Sequence, residues 1–455
     1  MKITKLFTFL FFVLTLFVIT SCDKDNKDNS PINVIMVNDN HGVLNEEDGS
    51  LDKIATGIES YKDLGNVVKI ANGDMFQGTY ISSSLRGLPM LDALNELEFD
   101  CFVLGNHEFD WGLDEMKKYK DGDKSNGEAD FPFLGANIID KSTGKMVDWL
   151  EPYHIVKFGD IKIGIIGIIG EVEDSILRTH VQNYDFVEPR SIVKNLASEL
   201  REEKDCDVVI VAIHGDDDEL NDDIARFTNS NKIDGIFNGH SHIPTDEVKV
   251  RSDGTKVCVL QNGGYGDSFA NLTLEFDDSK NLTNTDGQIN DTDDYKSKGI
   301  LSSVFNKYKD EIAIGDQVVF TCDQNISKYE VGIEIAHSMY MTYACDFAVI
   351  NTGGVRASIN KGDVTYADLF QILPFENEVY IVTINGKDLK KFVANSAIYY
   401  WGIYLDSIKD DQDYLLAIVD YVYQSYIFDD YRTGEYVDTN DLIRDIFINY
   451  IKNNI

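Results

Sequence analysis

Short apolar runs rich in β-branched residues alternate with longer polar-patterned stretches from residue 32 to about residue 276. This alternation is typical of buried strands joined by helical crossovers, and it predicts an α/β domain. Most runs stop abruptly at Gly, Asn, Asp or His, and ligands of α/β sheets collect beyond the carboxyl ends of the strands. The predicted strands are 33–37, 67–71, 101–104, 161–169, 208–213, 235–237 and 257–260.

The chain has 455 residues, and such a length favours two domains. Residues 32–276 are expected to form the first domain. Residues 277–315 are expected to be a linker and connecting helix, because 277–299 is polar and rich in Asn and Asp whereas 300–312 has a helical pattern. Residues 316–455 have their own apolar patterns and are long enough for a smaller α/β domain.

The chain is strongly acidic, with 41 Lys and Arg against 78 Asp and Glu and a net charge of -37. Such a charge repels nucleic-acid backbones and anionic membrane surfaces, which argues against a polymeric nucleic-acid substrate. Small phosphate esters are disfavoured by the same field. A phosphate site here would therefore need concentrated positive charge, for which metal ions are the obvious source.

Residues 1–22 have the form of a bacterial lipoprotein signal peptide, with Lys2 and Lys5 before an apolar stretch and Cys22 at the end. The apolar stretch is short for a membrane span. Cys22 would then be lipidated, and the wholly polar residues 23–31 would be a flexible tether. The alternative is an ordinary cleaved signal with an incidental Cys. On the first interpretation the protein is exported and anchored to a bacterial membrane, on its periplasmic or surface face.

The five other cysteines are scattered and lack CxxC spacing, so they do not predict a metal site. Cys101 and Cys258 lie in apolar runs and are interpreted as core residues. A disulfide between Cys322 and Cys345 is left open by the sequence.

Side chains suited to metal ions follow the predicted strands, each next to a glycine. Any one of them alone is a weak signal, since a lone His is more often a core or surface residue than a ligand. Together, at successive strand ends, they predict a metal centre. The residues are Asp39, His41, Asp74, Asn106, His214, His240 and His242.

Two divalent ions about 3.5–4 Å apart need a shared anionic ligand, and Asp74 is the natural bridge. Mixed imidazole, carboxylate and amide ligands suit Mn, Zn, Fe or Co better than Ca. Such a pair activates water for attack on phosphorus and neutralises the developing charge.

The ordered set, with Gly-Asn-His-Glu-Phe-Asp at 105–110 and Gly-His-Ser-His at 239–242, resembles the calcineurin-like metallophosphoesterases and their bacterial 5′-nucleotidase/UDP-sugar hydrolase branch. The resemblance covers nearly the whole mature chain. It implies a four-layer β-sandwich flanked by helices, followed by a smaller substrate-binding domain. The resemblance also implies ligand sets, one of Asp39, His41, Asp74 and His242 and the other of Asp74, Asn106, His214 and His240.

By the same resemblance His107 is the catalytic, non-ligand histidine, and Asp110 orients it and keeps it protonated. A His beside a metal ligand but directed at the substrate can stabilise charge on the phosphoryl oxygens or protonate the leaving group. The alternative is that His107 only packs in the site wall. His180 and His337 have no partner motif and are interpreted as structural or surface residues.

In the second domain the segments Asn-Thr-Gly-Gly-Val-Arg and Pro-Phe-Glu-Asn resemble the family's substrate-binding face. Arg356 could grip a phosphate or carboxylate, or could be incidental to a strand-turn-helix. The resemblance implies that Phe375 stacks on a nucleobase. Asn377 would hydrogen-bond its edge, and Tyr421 is the nearest match to a second stacking residue. The implied contacts are Asn351, Gly353, Gly354, Arg356, Phe375, Asn377 and Tyr421.

Two features depart from the family pattern. Ser327 stands where the family places an arginine, and Tyr421 is not followed by the family's Gly-Gly-Asp-Gly-Tyr. Specificity is therefore left open, while the predicted reaction is hydrolysis of nucleoside 5′-phosphates or related nucleotide esters outside the cytoplasm. The alternatives are the same metal chemistry on 2′,3′-cyclic phosphodiesters, sugar phosphates or a sulfur-linked ester, and a catalytically silent nucleotide-binding lipoprotein.

Overall fold

The computed structural model describes residues 22–24, 30–44 and 51–454. Residues 1–21 of the predicted signal peptide and residues 25–29 of the predicted tether lie outside the described residues. Cys22–Lys24 are described in their backbone only, as an edge strand that runs parallel to Tyr153–Phe158. The Cys22 side chain, the predicted lipidation site, is not among the described atoms.

Two large sheets form the first domain, and each has a mainly parallel centre with antiparallel strands towards its edges. The seven-stranded sheet has the order Cys22–Lys24, Tyr153–Phe158, Ile161–Ile169, Val208–His214, Gly235–Phe237, Lys256–Gln261 and Thr245–Val250. The six-stranded sheet has the order Leu282–Asp291, Ser268–Phe276, Ile32–Val37, Asn66–Asn72, Cys101–Val103 and Phe133–Leu134. All seven predicted strands are present, each within one residue of its predicted bounds.

The sheets pack face to face, and helices cover their outer faces. In Ile32–Val37, Val34 points into the layer between the sheets, whereas Ile35 packs with the helices outside. Both faces of the strand are thus buried, which explains its continuous apolar run. The covering helices are Leu51–Leu64 and Leu88–Glu96 on one side and Arg190–Glu202 and Asp218–Ala225 on the other. The predicted four-layer α/β architecture is confirmed.

The polar segment predicted to begin the linker contains a strand instead. Leu282–Asp291 pairs antiparallel with Ser268–Phe276 at the edge of the six-stranded sheet. An edge strand exposes much of its surface, so a run of Thr, Asn and Asp is compatible with pairing there. The helical pattern at 300–312 corresponds to two consecutive helices, Ser302–Lys307 and Lys309–Gly315.

The second domain is built on a five-stranded sheet with its own hydrophobic core. Its strand order is Ile398–Gly402, Phe347–Asn351, Asp413–Val419, Glu378–Asn385 and Val437–Leu442, and Val318–Cys322 pairs separately with Gly362–Thr365. Its helices are Lys328–Thr342, Tyr366–Ile372, Gly386–Asn395, Asp420–Gln424 and Ile443–Asn454.

The remaining elements of the first domain are short. They are the helices Tyr80–Ser83, Leu113–Lys117 and Arg178–Val181 and a small sheet of Tyr184–Phe186, Ile138–Asp140 and Lys145–Met146. Cys101 and Cys258 are buried as expected, and Cys322 and Cys345 are free thiols. Within the described part of the chain, no helix has the length and apolar character needed to cross a membrane.

Candidate metal centre and substrate cavity

Strands from both sheets end at the same place and bring the seven predicted ligands together. The six-stranded sheet supplies Asp39 and His41, Asp74, and Asn106 in the loops that follow three adjacent parallel strands. The seven-stranded sheet supplies the last residue of Val208–His214 and, after the neighbouring strand, His240 and His242. The centre therefore lies across the junction of the two sheets.

The ligand loops have an unusual backbone. Five of the seven predicted ligands have left-handed backbone conformations, which cost a non-glycine residue about 1–3 kcal/mol each. Their φ values are 52° for Asp39, 53° for His41, 53° for Asp74, 79° for His240 and 59° for His242. Hydrogen bonds between loops hold this geometry, for example from the Asp39 N–H to the Gly73 carbonyl at 3.0 Å and from the His41 N–H to the Asp74 carbonyl at 2.9 Å.

Asp39, His41 and His242 form one group, with ligand atoms no more than 4.8 Å apart. The Nε2 atoms of His41 and His242 face each other at 3.0 Å, and His242 Nε2 lies 3.4 Å from Asp39 Oδ1. His41 Nδ1 donates to the Gln77 carbonyl at 3.0 Å, which leaves the Nε2 lone pair directed at the other two side chains.

Asp74, His214 and His240 form a second group at the same spacing. His214 Nε2 lies 3.3 Å from Asp74 Oδ2, while its Nδ1 donates to the Asn72 carbonyl at 2.8 Å. Asn106 Oδ1 lies 2.8 Å from His240 Nδ1 and 3.2 Å from His214 Nε2. Asp74 also groups with His41 and His107, so its carboxylate faces both halves of the centre.

Burial and mutual charge shift the pKa values of these groups strongly. Burial opposes the charged form of Asp74, but the neighbouring His214 and His107 hold the pKa of its carboxyl well below the usual range. Burial lowers the pKa of His41 to about 3, with a further contribution from the charge of His107. His41 is therefore a neutral imidazole, the form that binds metal ions.

The residues fit divalent cations. Asp39 Oδ1 is buried and has no hydrogen-bond partner among the described residues. Two carboxylates, one amide oxygen and four imidazoles, of which His41 and His214 donate their Nδ1 hydrogens to carbonyl groups, are a donor set typical of transition-metal centres. A bound cation would offset the free-energy cost of burying the carboxylates, and it would give the lone pairs of the neutral imidazoles a partner.

His107 lies next to this centre and is paired with Asp110 as predicted. Its Nδ1 is 2.8 Å from Asp110 Oδ2, its backbone N–H donates to Asp74 Oδ1 at 2.8 Å, and its Nε2 lies 3.8 Å from Asp74 Oδ2. Burial would lower the pKa of His107, but Asp110 and Asp74 outweigh it and raise the pKa to about 9. The two carboxylates thus favour the protonated form of the imidazole.

A cavity of about 560 Å³ opens from the centre towards the second domain. Asp74, Asn106, His107, His240 and His242 line one end of it. All seven residues predicted to bind substrate line the same cavity, namely Asn351, Gly353, Gly354, Arg356, Phe375, Asn377 and Tyr421. A molecule of nucleotide size would touch both domains there.

The cavity residues of the second domain make specific contacts. The Phe375 ring stacks with His107 at 5.5 Å and 21°, and the Arg356 guanidinium lies 5.9 Å from the Phe375 ring centre. Asn377 donates its amide to Asp420 at 2.9 Å, and the Tyr421 hydroxyl donates to the carbonyl of Asp174 at 2.8 Å. Phe375 therefore contacts His107 and exposes its ring to the cavity.

The segment that carries Phe375 is held from the C-terminal helix. The buried Arg444 donates to the Leu373 carbonyl at 2.9 Å and to the Phe375 carbonyl at 3.4 Å, and the Ile443 N–H donates to the Asn377 carbonyl at 3.0 Å. The cavity wall is thus fixed by a helix that does not itself line it.

Ser327, which stands where the family has an arginine, begins the helix Lys328–Thr342. Its hydroxyl accepts from the Glu330 N–H at 3.3 Å, and Glu330 bonds back to the Ser327 backbone, which is a capping box. Ser327 thus caps the helix Lys328–Thr342. Arginine is supplied to the cavity from the first domain by Arg86, which lies 5.5 Å above the Trp111 ring and 2.9 Å from Glu376.

Sequence reasoning missed several residues of the site. Glu108 stands inside the Gly-Asn-His-Glu motif, and its buried carboxylate accepts from three backbone N–H groups of the ligand loops. Tyr265 stacks on His41 at 5.0 Å and accepts a 2.8 Å hydrogen bond from Arg356. Its only sequence signal is the Gly-Gly-Tyr-Gly turn. His180, interpreted as a structural or surface residue, lines the cavity together with Trp111.

Comparison with known proteins gives two family matches in the order of the two domains. Residues 32–244 match the calcineurin-like phosphoesterase family, and residues 313–426 match the 5′-nucleotidase C-terminal domain. A 5′-nucleotidase of Vibrio cholerae is 27% identical in an alignment that spans 75% of this chain and 69% of that protein. A cell wall protein of Listeria monocytogenes is 22% identical in an alignment that spans 93% of this chain and 67% of that protein.

A solved structure shares the fold. The 5′-nucleotidase precursor of Thermus thermophilus superposes with a TM-score of 0.78 at 20% identity, covering 93% of this chain and 96% of that one. The two family matches, in this order and over both folded domains, are consistent with the site geometry. The chain therefore belongs to the family in which a calcineurin-like phosphoesterase domain is followed by a 5′-nucleotidase C-terminal domain.

Proposed function

We propose that this protein hydrolyses nucleoside 5′-phosphates or related nucleotide phosphoesters with two divalent metal ions, outside the cytoplasm. One observation carries the proposal. A single cavity has metal-type ligands at one end and, on its opposite wall, the residues that match the substrate face of 5′-nucleotidases. The similarity to a Vibrio 5′-nucleotidase supports the same substrate class.

Two ions are proposed because the ligands fall into two groups, and Asp74, a member of the second group, also lies close to His41 of the first. Asp39, His41 and His242 would hold one ion, and Asn106, His214 and His240 would hold the other. Mn, Zn, Fe or Co suit this donor set. When bound, such ions would activate water and neutralise the charge of the phosphoryl group.

The chain's own residues complete the reaction. His107, held by Asp110, would donate a hydrogen bond or proton to the phosphoryl or leaving-group oxygen. Arg356 would contact an anionic or ribose oxygen through its fork of N–H donors. The Phe375 ring, two residues before Asn377, would support the base by stacking, an interaction that every nucleobase can make.

The direct test is phosphate release from AMP by protein that has been stripped of metal and reloaded with Mn or Zn. Reloading is expected to restore hydrolysis, and His107→Ala is expected to lower kcat by about 10²- to 10⁴-fold without loss of bound metal. His337→Ala, which changes a histidine in the remote cluster with Trp401 and Tyr450, is the matched control. Undiminished hydrolysis by His107→Ala would remove that residue from the mechanism.

A substrate panel decides between related reactions. AMP, UDP-glucose, 2′,3′-cyclic AMP, a sugar phosphate and a sulfur-linked ester are compared at equal metal content. Highest activity on any of the last three would replace the proposed substrate class while leaving the metal chemistry in place. Nucleotide binding without hydrolysis of any of these esters, with metal shown to be bound, would instead indicate a silent binding protein.

We also propose export and a lipid anchor on Cys22. The form of residues 1–22 and the similarity to a Listeria cell wall protein support export, and Cys22 at the end of the apolar segment supports the anchor. Cells fed a radiolabelled fatty acid are expected to label the wild-type protein and not the Cys22→Ser variant. If the wild-type protein is exported but carries no label, the proposal of export stands and the proposal of a lipid anchor is refuted.

A further inference from the structure

The orientation of Asn377 in the cavity is set by a buried carboxylate. Asn377 Nδ2 donates to Asp420 Oδ1 at 2.9 Å, and the same oxygen accepts from the Tyr421 N–H at 2.6 Å. Asp420 is only 4% exposed, so it cannot exchange these partners for bulk water. The Asn377 backbone is held as well, through the Ile443 N–H.

An ionised carboxylate accepts hydrogen bonds and donates none, whereas the two ends of an asparagine amide differ in this respect. The end of Asn377 that faces Asp420 must therefore be its NH₂ group. Burial raises the pKa of Asp420 to about 6, although the hydrogen bond from Asn377 opposes the shift. At pH 8 the carboxylate is ionised and the constraint is in force.

The amide oxygen of Asn377 is then turned away from Asp420 and is the acceptor that this side chain can offer to a ligand, beside the second hydrogen of its NH₂ group. Phe375, which lies two residues earlier on the same segment, provides a ring face that every base can stack on. Stacking therefore does not select among bases, whereas a hydrogen bond to the amide oxygen can. This oxygen is an acceptor, and the matching feature of a ligand is a donor on the edge of the base.

We propose that Asp420 is a positioning residue that fixes Asn377 as a hydrogen-bond acceptor, so that the site prefers nucleotides whose base carries an exocyclic amino group over matched nucleotides that lack it. The proposal rests on the nucleotide hydrolysis proposed above. It assigns a substrate preference, for bases with an exocyclic amino group such as adenine and cytosine, to one oriented amide.

The preference is measured with pairs of substrates that differ only in the amino group. AMP is compared with purine riboside 5′-monophosphate, and CMP with the 5′-monophosphate of the 2-pyrimidinone riboside, at pH 8. One neutral hydrogen bond predicts a ratio of kcat/KM of about 3- to 10-fold in favour of each amino compound. Ribose 5-phosphate, which has no base, reports on the phosphoryl chemistry in the same preparations.

The variant Asp420→Asn tests the positioning role. An asparagine at 420 can donate as well as accept, so Asn377 is free to rotate and both ratios are expected to fall towards 1. Asp411→Asn, an exposed carboxylate in the same domain, is the matched control and is expected to keep the wild-type ratios. A general loss of activity would change all rates together and leave the ratios unmoved.

Each outcome decides something. Wild-type ratios near 1 for both pairs would overturn the proposal, even if Asp420→Asn does not fold. Wild-type ratios retained by folded Asp420→Asn would overturn the role of Asp420. Failure to hydrolyse any nucleotide with metal bound would instead refute the proposed function, which the base-free substrate and the metal content distinguish from a loss of selectivity.

Discussion

Glu108 is expected to be the residue outside the ligand set on which the metal centre depends most. Its side chain is fully buried, and its Oε2 accepts from the N–H groups of Asp74 and Gly105 at 2.8 Å each, while its Oε1 accepts from Met75 at 3.0 Å. One carboxylate thus ties the loop that carries Asp74 to the loop that carries Asn106. Replacing it perturbs two ligands without touching either.

The magnitude follows from the number of N–H groups that lose an acceptor. Glu108→Gln keeps the shape but turns an NH₂ group towards at least one buried donor, which costs about 1–3 kcal/mol of unfolding free energy. Glu108→Ala leaves three donors unpaired and is expected to cost about 3–5 kcal/mol. Since partners of this kind orient the ligands, we expect metal affinity to fall by about 10- to 100-fold in either variant.

The assay combines urea unfolding of the metal-free protein with competition for Zn between the protein and a chromophoric chelator. Glu203→Gln, an exposed carboxylate in the same domain, is the matched control and is expected to change neither quantity. Unfolding free energies within about 0.5 kcal/mol of wild type, together with Zn affinity within about twofold, would refute the reasoning for Glu108.

Three further changes test other contacts of the site. Tyr265→Phe removes the hydroxyl that accepts from Arg356, and we expect kcat/KM for AMP to fall by about 3- to 10-fold with metal content unchanged; loss of metal instead would point to the ring stacked on His41. Gly105→Ala would place a methyl group against Asp74 Oδ1, so bound metal measured by emission spectroscopy is expected to decrease. Arg444→Lys weakens the hold on the Phe375 segment and is expected to raise KM for AMP more than for ribose 5-phosphate; equal changes would contradict this role.

The layout of the metal centre could be predicted because each ligand lies close in sequence to a recognisable strand. Each predicted ligand ends a strand or lies within five residues of the end of a strand whose apolar run is visible in the sequence, as with Asp74 after Asn66–Asn72 and His214 at the end of Val208–His214. Parallel strand order then brings the ends together. The same reasoning fails for Leu282–Asp291, since a polar edge strand has no apolar run to reveal it.

The substrate end was predicted less completely because its contacts join distant parts of the chain. The resemblance indicated Arg356 and Asn377 as substrate contacts. It did not indicate that Arg356 donates a hydrogen bond to Tyr265 or that Asn377 donates one to Asp420. Arg86 enters the cavity from a loop without any local signal, and its positive φ of 56° is invisible in the sequence. Such pairings depend on how the two domains meet, which no periodicity encodes.

Because the metal centre lies across two sheets, the distances between its ligands depend on how the sheets are aligned. Ligands from the six-stranded sheet, such as Asp39, meet ligands from the seven-stranded sheet, such as His242, within 3.4 Å. Any change in the intervening core that slides one sheet against the other separates these atoms before it exposes the core. A substitution far from the cavity, such as Ile165→Val in the layer between the sheets, is therefore expected to lower the amount of bound metal measurably while the melting temperature changes little. Metal content would then be the more sensitive measure of how accurately the two sheets are stacked.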